Sequence, residues 1–231
     1  MFNIITGKIL KMQNRMPRLR YYPNSGAEFH NGRQERLLKT VNSIAYCLFS
    51  MEKSDFSDVL MESLEKLGRS VNAERVVLWK NYMKKNNLRV MRYAKWNDPE
   101  LEKRSFRSLA DPVPDDFLIE EYLPDWETIM AEQVPVYFKG RDLQEPFRTI
   151  ARKNGIRSVL IVPVFCMGNY WGFISLLTYL NEHLYSSSEK EWLRMGGALI
   201  ASAIEHNETA KELIRVKEEA QKIAKAKSDI P

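Results

Sequence analysis

The sequence predicts an α+β fold: a central antiparallel sheet of five to six strands sandwiched between helices, with a long helix at its C-terminal end. Three observations lead there. Residues 158–165 and 170–177 are two apolar runs of strand length, separated by Cys166-Met167-Gly168-Asn169, whose Gly and Asn suit the positive backbone angles of a tight hairpin. Both runs are apolar at nearly every position, so other layers are expected to cover both faces of the pair. Segments with the 3-4 spacing of amphipathic helices stand before and after it. The hairpin is therefore expected to be the central pair of the sheet.

Residues 1–32 read as a basic leader ending in two loop signals, Pro23-Asn24-Ser25-Gly26 and Asn31-Gly32, and are expected to be disordered. Lys8, Lys11, Arg15, Arg18 and Arg20 carry the whole net charge of +5, because the remaining 30 basic residues match the 30 acidic ones. A nucleic-acid platform concentrates its excess charge on the folded part, so no nucleic-acid partner is expected. From Arg33, Leu37, Leu38, Val41, Ile44, Ala45, Leu48 and Phe49 recur at helical spacing. A second helix, capped by Ser54 or Asp55, buries Phe56, Val59, Leu60, Ser63, Leu64 and Leu67 and ends near Gly68.

Two strands follow, 73–80 and 88–96, across a polar loop at 81–87. In the second, strict alternation puts Leu88, Val90, Ala94 and Trp96 on one face, interrupted by Arg92, with Arg89, Met91, Tyr93 and Lys95 opposite. Residues 97–124 show no period and contain four prolines; a loop this long inside a domain is usually functional or disordered. A short helix over 125–132, a strand over 135–138 and a helix over 145–154 closed by Gly155 lead into the central hairpin.

After the hairpin, Ser188-Glu189-Lys190-Glu191 reads as a capping box opening a helix over 188–228. At 1.5 Å per residue that helix is about 60 Å long. Its first half carries Trp192, Met195, Leu199, Ile200, Ala203 and Ile204 to pack on the sheet. Beyond His206 the apolar positions reduce to Leu213, Val216, Ala220 and Ile223, spaced three, four and three, with Glu218 four residues before Lys222. That is a coiled-coil seam of about two heptads. A helix projecting past its domain cannot bury such a stripe alone, so a homodimer paired through it is expected.

Several chemistries find no residues. No run of the 231 residues approaches the roughly 18 apolar positions of a membrane span, and the opening segment, interrupted by Lys8 and Lys11, lacks a signal-peptide pattern. Cys47 and Cys166 form neither a disulfide framework nor a metal spacing, and His30, His183 and His206 stand far apart. No metal and no cofactor is expected. Unpaired thiols and ten methionines suit a reducing, cytoplasmic setting.

The order of these elements resembles the GAF sensor domain over residues 33–206. The resemblance rests on the helix pair LLKTVNSIAYCLFSMEKSDFSDVLMESLEKLG, on AERVVLW, and on NGIRSVLIVPVFCMGNYWGFISLLT, with Asn154-Gly155, the S-x-L-x-V-P run of 158–163 and the G-x-x-x-G-x-I of 168–174. The tail KEEAQKIAKAKSDI looks like the signalling helix that precedes the phospho-acceptor module in hybrid sensor histidine kinases; residues 207–231 would be that linker. This sequence carries no phospho-acceptor box around His206 and no ATP-binding glycine boxes. The resemblance thus implies a non-catalytic sensory module that dimerises through helices and hands a signal to a kinase-type output.

The same resemblance places any small-molecule ligand between the sheet and the irregular stretch, where Arg92, Tyr93, Trp96, Trp126, Phe138 and Arg148 are expected. Aromatics with a few polar groups are what such pockets use, and equally what closes a sheet against short helices. The cyclic-nucleotide signature, the Cys-His pair of bilin binders and a pocket histidine for haem are not found. Two alternatives stay open: a small thiol enzyme of the free methionine sulfoxide reductase type, using Cys47 or Cys166, and an orphaned kinase fragment without a signalling role.

Overall fold

The computed structural model describes residues 30–49, 56–104, 113–122, 126 and 132–228. Of the leader expected over 1–32, residues 1–29 lie outside them, as do the expected caps Ser54 and Asp55 and all of the helix expected over 125–132 except Trp126 and Glu132; His30, Asn31 and Gly32, expected to be loop, are the first residues of a helix. Helices α1 (His30–Phe49) and α2 (Phe56–Ser70) come first, then strands β1 (Arg75–Lys84) and β2 (Asn87–Asn97). Next are α3 (Pro99–Arg104), β3 (Asp116–Leu118), α4 (Ile119–Tyr122) and β4 (Val136–Lys139). A 3-10 turn (Gly140–Asp142), α5 (Phe147–Asn154), β5 (Ser158–Cys166), β6 (Asn169–Thr178) and α6 (Ser187–Ser228) complete the order.

The strands form one six-stranded antiparallel sheet in the order β3-β2-β1-β6-β5-β4. The β5–β6 hairpin is therefore not the central pair. The centre is β1 against β6, joining the two hairpins, because β4 adds outside β5 and β3 outside β2. Strand β3 falls in the stretch that showed no period. It is three residues long on a sheet edge, too short for alternation to register.

Both hairpins turn through two left-handed residues, Lys85 (φ 51°) and Asn86 (φ 63°) in the first and Met167 (φ 49°) and Gly168 (φ 77°) in the second. The loop expected at 81–87 is mostly strand, since Asn81 pairs with Val90 and Lys84 with Asn87. Backbone pairing carries the ribbon on, while its side chains become exposed and lose any apolar signal.

Two apolar layers sandwich the sheet, as its patterning requires. On one face α2 and α6 pack on the strands and α1 packs on both helices, with Leu37, Ile44, Leu64, Leu67, Ile200 and Ile204 against Val76, Leu78, Leu160, Val162 and Leu176. Gly68 lies near the end of α2, as expected, and is also a packing position. A Cβ there would lie 2.4 Å from the Trp96 ring. On the other face Val77, Trp79, Val90, Phe117, Ile119, Ile161 and Phe173 form a second cluster, continued by Leu143, Ala151, Ile156 and Leu177 beneath α5. Gly155 (φ 74°) closes α5 in the left-handed region, its N–H donating to Ala151 O.

The capping box of α6 lies two residues earlier than expected. Glu189 N donates to Ser186 Oγ at 3.2 Å and Ser186 N to Glu189 Oε2 at 2.8 Å. Glu189 is fully buried, whereas Glu191 is exposed and pairs with Arg194. In a run of three serines the pattern fits twice, and burial of Glu189 chooses between the registers. The helix packs on the sheet as far as Ile204, and every residue from 211 to 225 is exposed.

Candidate functional site

The cavity that the second layer encloses lies between the sheet and α5 and has a volume of about 70 Å³. Alternate residues of β1 supply Arg75, Val77 and Trp79, and β6 supplies Phe173, Ser175 and Leu177. Val159 and Ile161 of β5, Phe138 of β4, Phe117 of β3, and Phe147, Ile150 and Ala151 of α5 complete much of the wall. Trp79 is its centrepiece, edge-on to Phe117 at 5.3 Å, stacked at 6.0 Å on Phe173, and donating its indole N–H to Ser175 Oγ at 3.0 Å.

Two guanidinium groups and the Ser175 hydroxyl belong to this otherwise apolar lining. Arg75 is 1% exposed; its Nε donates to Asn97 Oδ1 at 2.8 Å, and its guanidinium lies 5.5 Å from the Tyr179 ring. Arg92 forms an ion pair with Asp115, whose side chain is 74% exposed. A buried guanidinium beside apolar walls favours an anionic or acceptor group.

Of the six residues expected around a ligand, the structure brings Arg92 and Phe138 to the cavity and leaves four elsewhere. Trp126 stacks on Tyr170 at 6.0 Å beside the same apolar cluster without lining the cavity. Its indole N–H and the Tyr170 hydroxyl are buried without a hydrogen-bond partner among the described residues. Arg148 is exposed, its Nε donating to Leu143 O at 2.8 Å. Tyr93 and Trp96 lie on the opposite face, in the helix layer.

A β-bulge causes that last departure. Leu78 pairs with Ala94 but Trp79 with Arg92, so Tyr93 is an extra residue without a partner on β1. The alternation changes phase there. Leu88, Val90 and Arg92 stay on the cavity face, while Ala94 and Trp96 turn toward the helices, correcting the single face expected for Leu88, Val90, Ala94 and Trp96. Tyr93 Oη reaches across to donate to Glu208 Oε1 at 3.0 Å. Burial first, and the Glu208 charge second, push its hydroxyl well above the usual phenol range.

Arg75, Trp79, Phe173 and Ser175 were missed, although a signal existed. Arg75, Val77 and Trp79 alternate along one strand, and an arginine in phase with two large apolar residues shares their environment. Phe117 had none, because its strand was not legible.

The thiols lie away from this site. Cys47 sits on α1, where Lys66 Nζ donates to its sulfur at 3.1 Å, and Cys166 ends β5 at 3.8 Å from Ser202 Oγ. Neither lines the cavity, an arrangement that does not favour a thiol enzyme. Among the described residues no three His, Cys, Asp or Glu side chains are placed to hold a metal ion, and no helix is long and apolar enough to cross a membrane.

Residues 55–204, most of the chain, match the GAF domain family. The chain belongs to that family. This GAF domain is also 27% identical over 192 residues to the methanogenesis regulatory histidine kinase FilI of Methanothrix harundinacea (strain 6Ac), a match covering 82% of this chain and 21% of that protein. The chain thus spans about a fifth of that relative's length. Among solved structures it resembles the GAF domain of a putative sensor histidine kinase from Pseudomonas syringae pv. tomato, with a TM-score of 0.52 at 14% identity over 82% of this chain and 99% of that one. It also resembles the Stigmatella aurantiaca phytochrome photosensory core module, with a TM-score of 0.59 at 14% identity over 85% of this chain and 42% of that one. At such identities these two likenesses concern the fold alone.

Proposed function

We propose that this GAF domain is a non-catalytic sensory module of a histidine-kinase-type signalling protein, in which a small ligand in the cavity changes the direction or pairing of α6. The observation that carries the reading is α6 itself. One capped helix of 42 residues packs on the sheet through its first half and runs on exposed from 211 to 225. An isolated helix gains little from such an extension, whereas a relay to a following module needs it. The histidine kinase relative supplies the kind of output.

The cavity lining suits a ligand with an apolar body and an acceptor or anionic end. Arg92 would receive that end by exchanging its exposed partner Asp115 for the ligand, and Trp79, Phe117 and Phe173 would pack the body. Liquid water occupies about 30 Å³ per molecule, so a cavity of about 70 Å³ takes only a few heavy atoms unless its walls move. The output half of the reading is a parallel homodimer through Leu213, Val216, Ala220 and Ile223, in a cytoplasmic setting that keeps both thiols reduced.

Native mass spectrometry of the purified chain tests the ligand. A retained small molecule that Arg92→Ala releases supports the reading; a protein that stays apo and shows no thermal shift with small carboxylates or neutral aromatics counts against a ligand site.

A further inference from the structure

Where α6 leaves the sheet, five side chains from three strands and the helix meet. Lys80 Nζ lies 2.5 Å from Glu208 Oε2 and 3.2 Å from Glu205 Oε1. Trp171 Nε1 donates to Glu205 Oε1 at 2.6 Å and Tyr93 Oη to Glu208 Oε1 at 3.0 Å. The two rings meet edge-on at 5.8 Å, and the ammonium sits over both, 5.8 Å from the Tyr93 centroid and 5.4 Å from that of Trp171. Among the described residues none of α6 beyond Glu208 belongs to the buried clusters. The cluster holds the helix at the end of its packed part.

Both aromatics in it are bulge residues. Tyr93 is the extra residue of β2, and Trp171 is the extra residue of β6, since Val164 pairs with Gly172 and Phe165 with Tyr170. The two irregularities lie at one level of the sheet, on either side of Trp79 and Lys80, which pair with Arg92 and Met91 on one side and Phe173 and Gly172 on the other. Gly172 lets β6 close on β1 here; a Cβ would lie 2.0 Å from Trp79 O. Each strand thus presents neighbouring residues to opposite faces: Trp79 and Arg92 line the cavity, while Lys80 and Tyr93 grip the helix. A bulge gives no ladder partner to its extra residue, so it yields more readily than the regular ladder around it.

We propose that the Lys80–Tyr93–Trp171 cluster with Glu205 and Glu208 is the joint that couples the cavity to the exit helix, Arg92 acting on Tyr93 through the bulge they share. This goes beyond the sensory reading by naming the mechanical connection. It needs neither a known ligand nor the dimer seam, so the two ideas fail separately.

Amide hydrogen exchange of the full chain tests it. Lys80→Met removes the ammonium at similar length, and Tyr93→Phe removes one hydroxyl while keeping the ring packed. Both are expected to speed exchange of residues 205–212, by tenfold or more and by about threefold respectively, while residues 193–203 keep wild-type rates. Arg92→Lys, altered only on the cavity face, is expected to speed the same 205–212 segment at least twofold. Unchanged rates in 205–212 for the first two variants overturn the joint. An Arg92→Lys effect that is absent, or spread evenly over β5 and β6, overturns the coupling.

Discussion

In the proposed homodimer the exposed half of α6 would set how strongly two copies of the chain pair. Leu213 is 69% exposed, Val216 48% and Ile223 60%. Complete burial of such a side chain contributes about 1.5–3 kcal/mol, so covering these fractions in a parallel seam contributes about 4 kcal/mol per chain and about 8 kcal/mol per dimer. Association costs about 4–15 kcal/mol in lost freedom, which leaves at best about 4 kcal/mol, or a dissociation constant near 1 mM. The isolated chain is therefore expected to be monomeric at about 10 µM and measurably dimeric toward 1 mM on this estimate. Sedimentation equilibrium across that range reads the change. Leu213→Glu removes one of the largest contributions and places two like charges face to face, and is expected to abolish the rise in mass. Two results refute the reasoning: a dimer that persists at low micromolar concentration in Leu213→Glu, which puts the interface elsewhere, or a wild-type chain that stays monomeric at 1 mM.

Three further outcomes follow from named contacts. Gly68→Ala raises helix propensity by about 1 kcal/mol, yet its Cβ would lie 2.4 Å from the Trp96 ring and 2.9 Å from Val76 Cγ2; urea unfolding is expected to show a net loss of about 1–3 kcal/mol from overpacking. The joint at Lys80 has a pH window. Burial alone would raise the Glu205 carboxyl and lower the Lys80 ammonium, but the Trp171 and Lys80 hydrogen bonds leave Glu205 below 4.5, and the contacts with Glu208 and Glu205 leave Lys80 above 10.5. A depressed carboxyl stabilises above its unfolded value and loses that as pH falls through the folded one; a raised ammonium stabilises below its unfolded value and loses that as pH rises through the folded one. Protection of residues 205–212 is therefore expected to hold through the neutral range and to fall off below the first limit and above the second, and loss near pH 7 would contradict it. Finally, the wild-type chain with a dithiol is expected not to reduce free methionine sulfoxide; turnover that Cys47→Ser or Cys166→Ser removes would restore the thiol-enzyme reading.

Much of the fold was legible because its signals are local and redundant. The apolar runs at 158–165 and 170–177, the helical stripes of α1, α2 and α6 and the glycine after α5 each act within a few residues. The candidate site was legible only in part. Of the six residues expected around a ligand, Phe138 and Arg92 line the cavity, Tyr93 and Trp96 lie on the other face of the sheet, and Arg148 and Trp126 are not part of the lining. The reason is phase. Alternation places residues correctly until one residue is inserted, and nothing in Met91-Arg92-Tyr93-Ala94 marks Tyr93 as the insertion.

The amino-acid sequence by itself determined the element types, the covered sheet and the long exit helix, since hydrophobic periodicity and capping chemistry depend on neighbours along the chain. It also determined which residues had to stay together on a regular stretch of strand, such as Leu88 with Val90. Only the tertiary structure decided that β1 and β6 meet at the centre, that two bulges lie level with each other, and that Lys80 stands between Glu205 and Glu208 from the far end of the chain. Those outcomes depend on contacts between segments roughly a hundred residues apart, where the best fit of backbone hydrogen bonds and buried side chains overrides the local alternation.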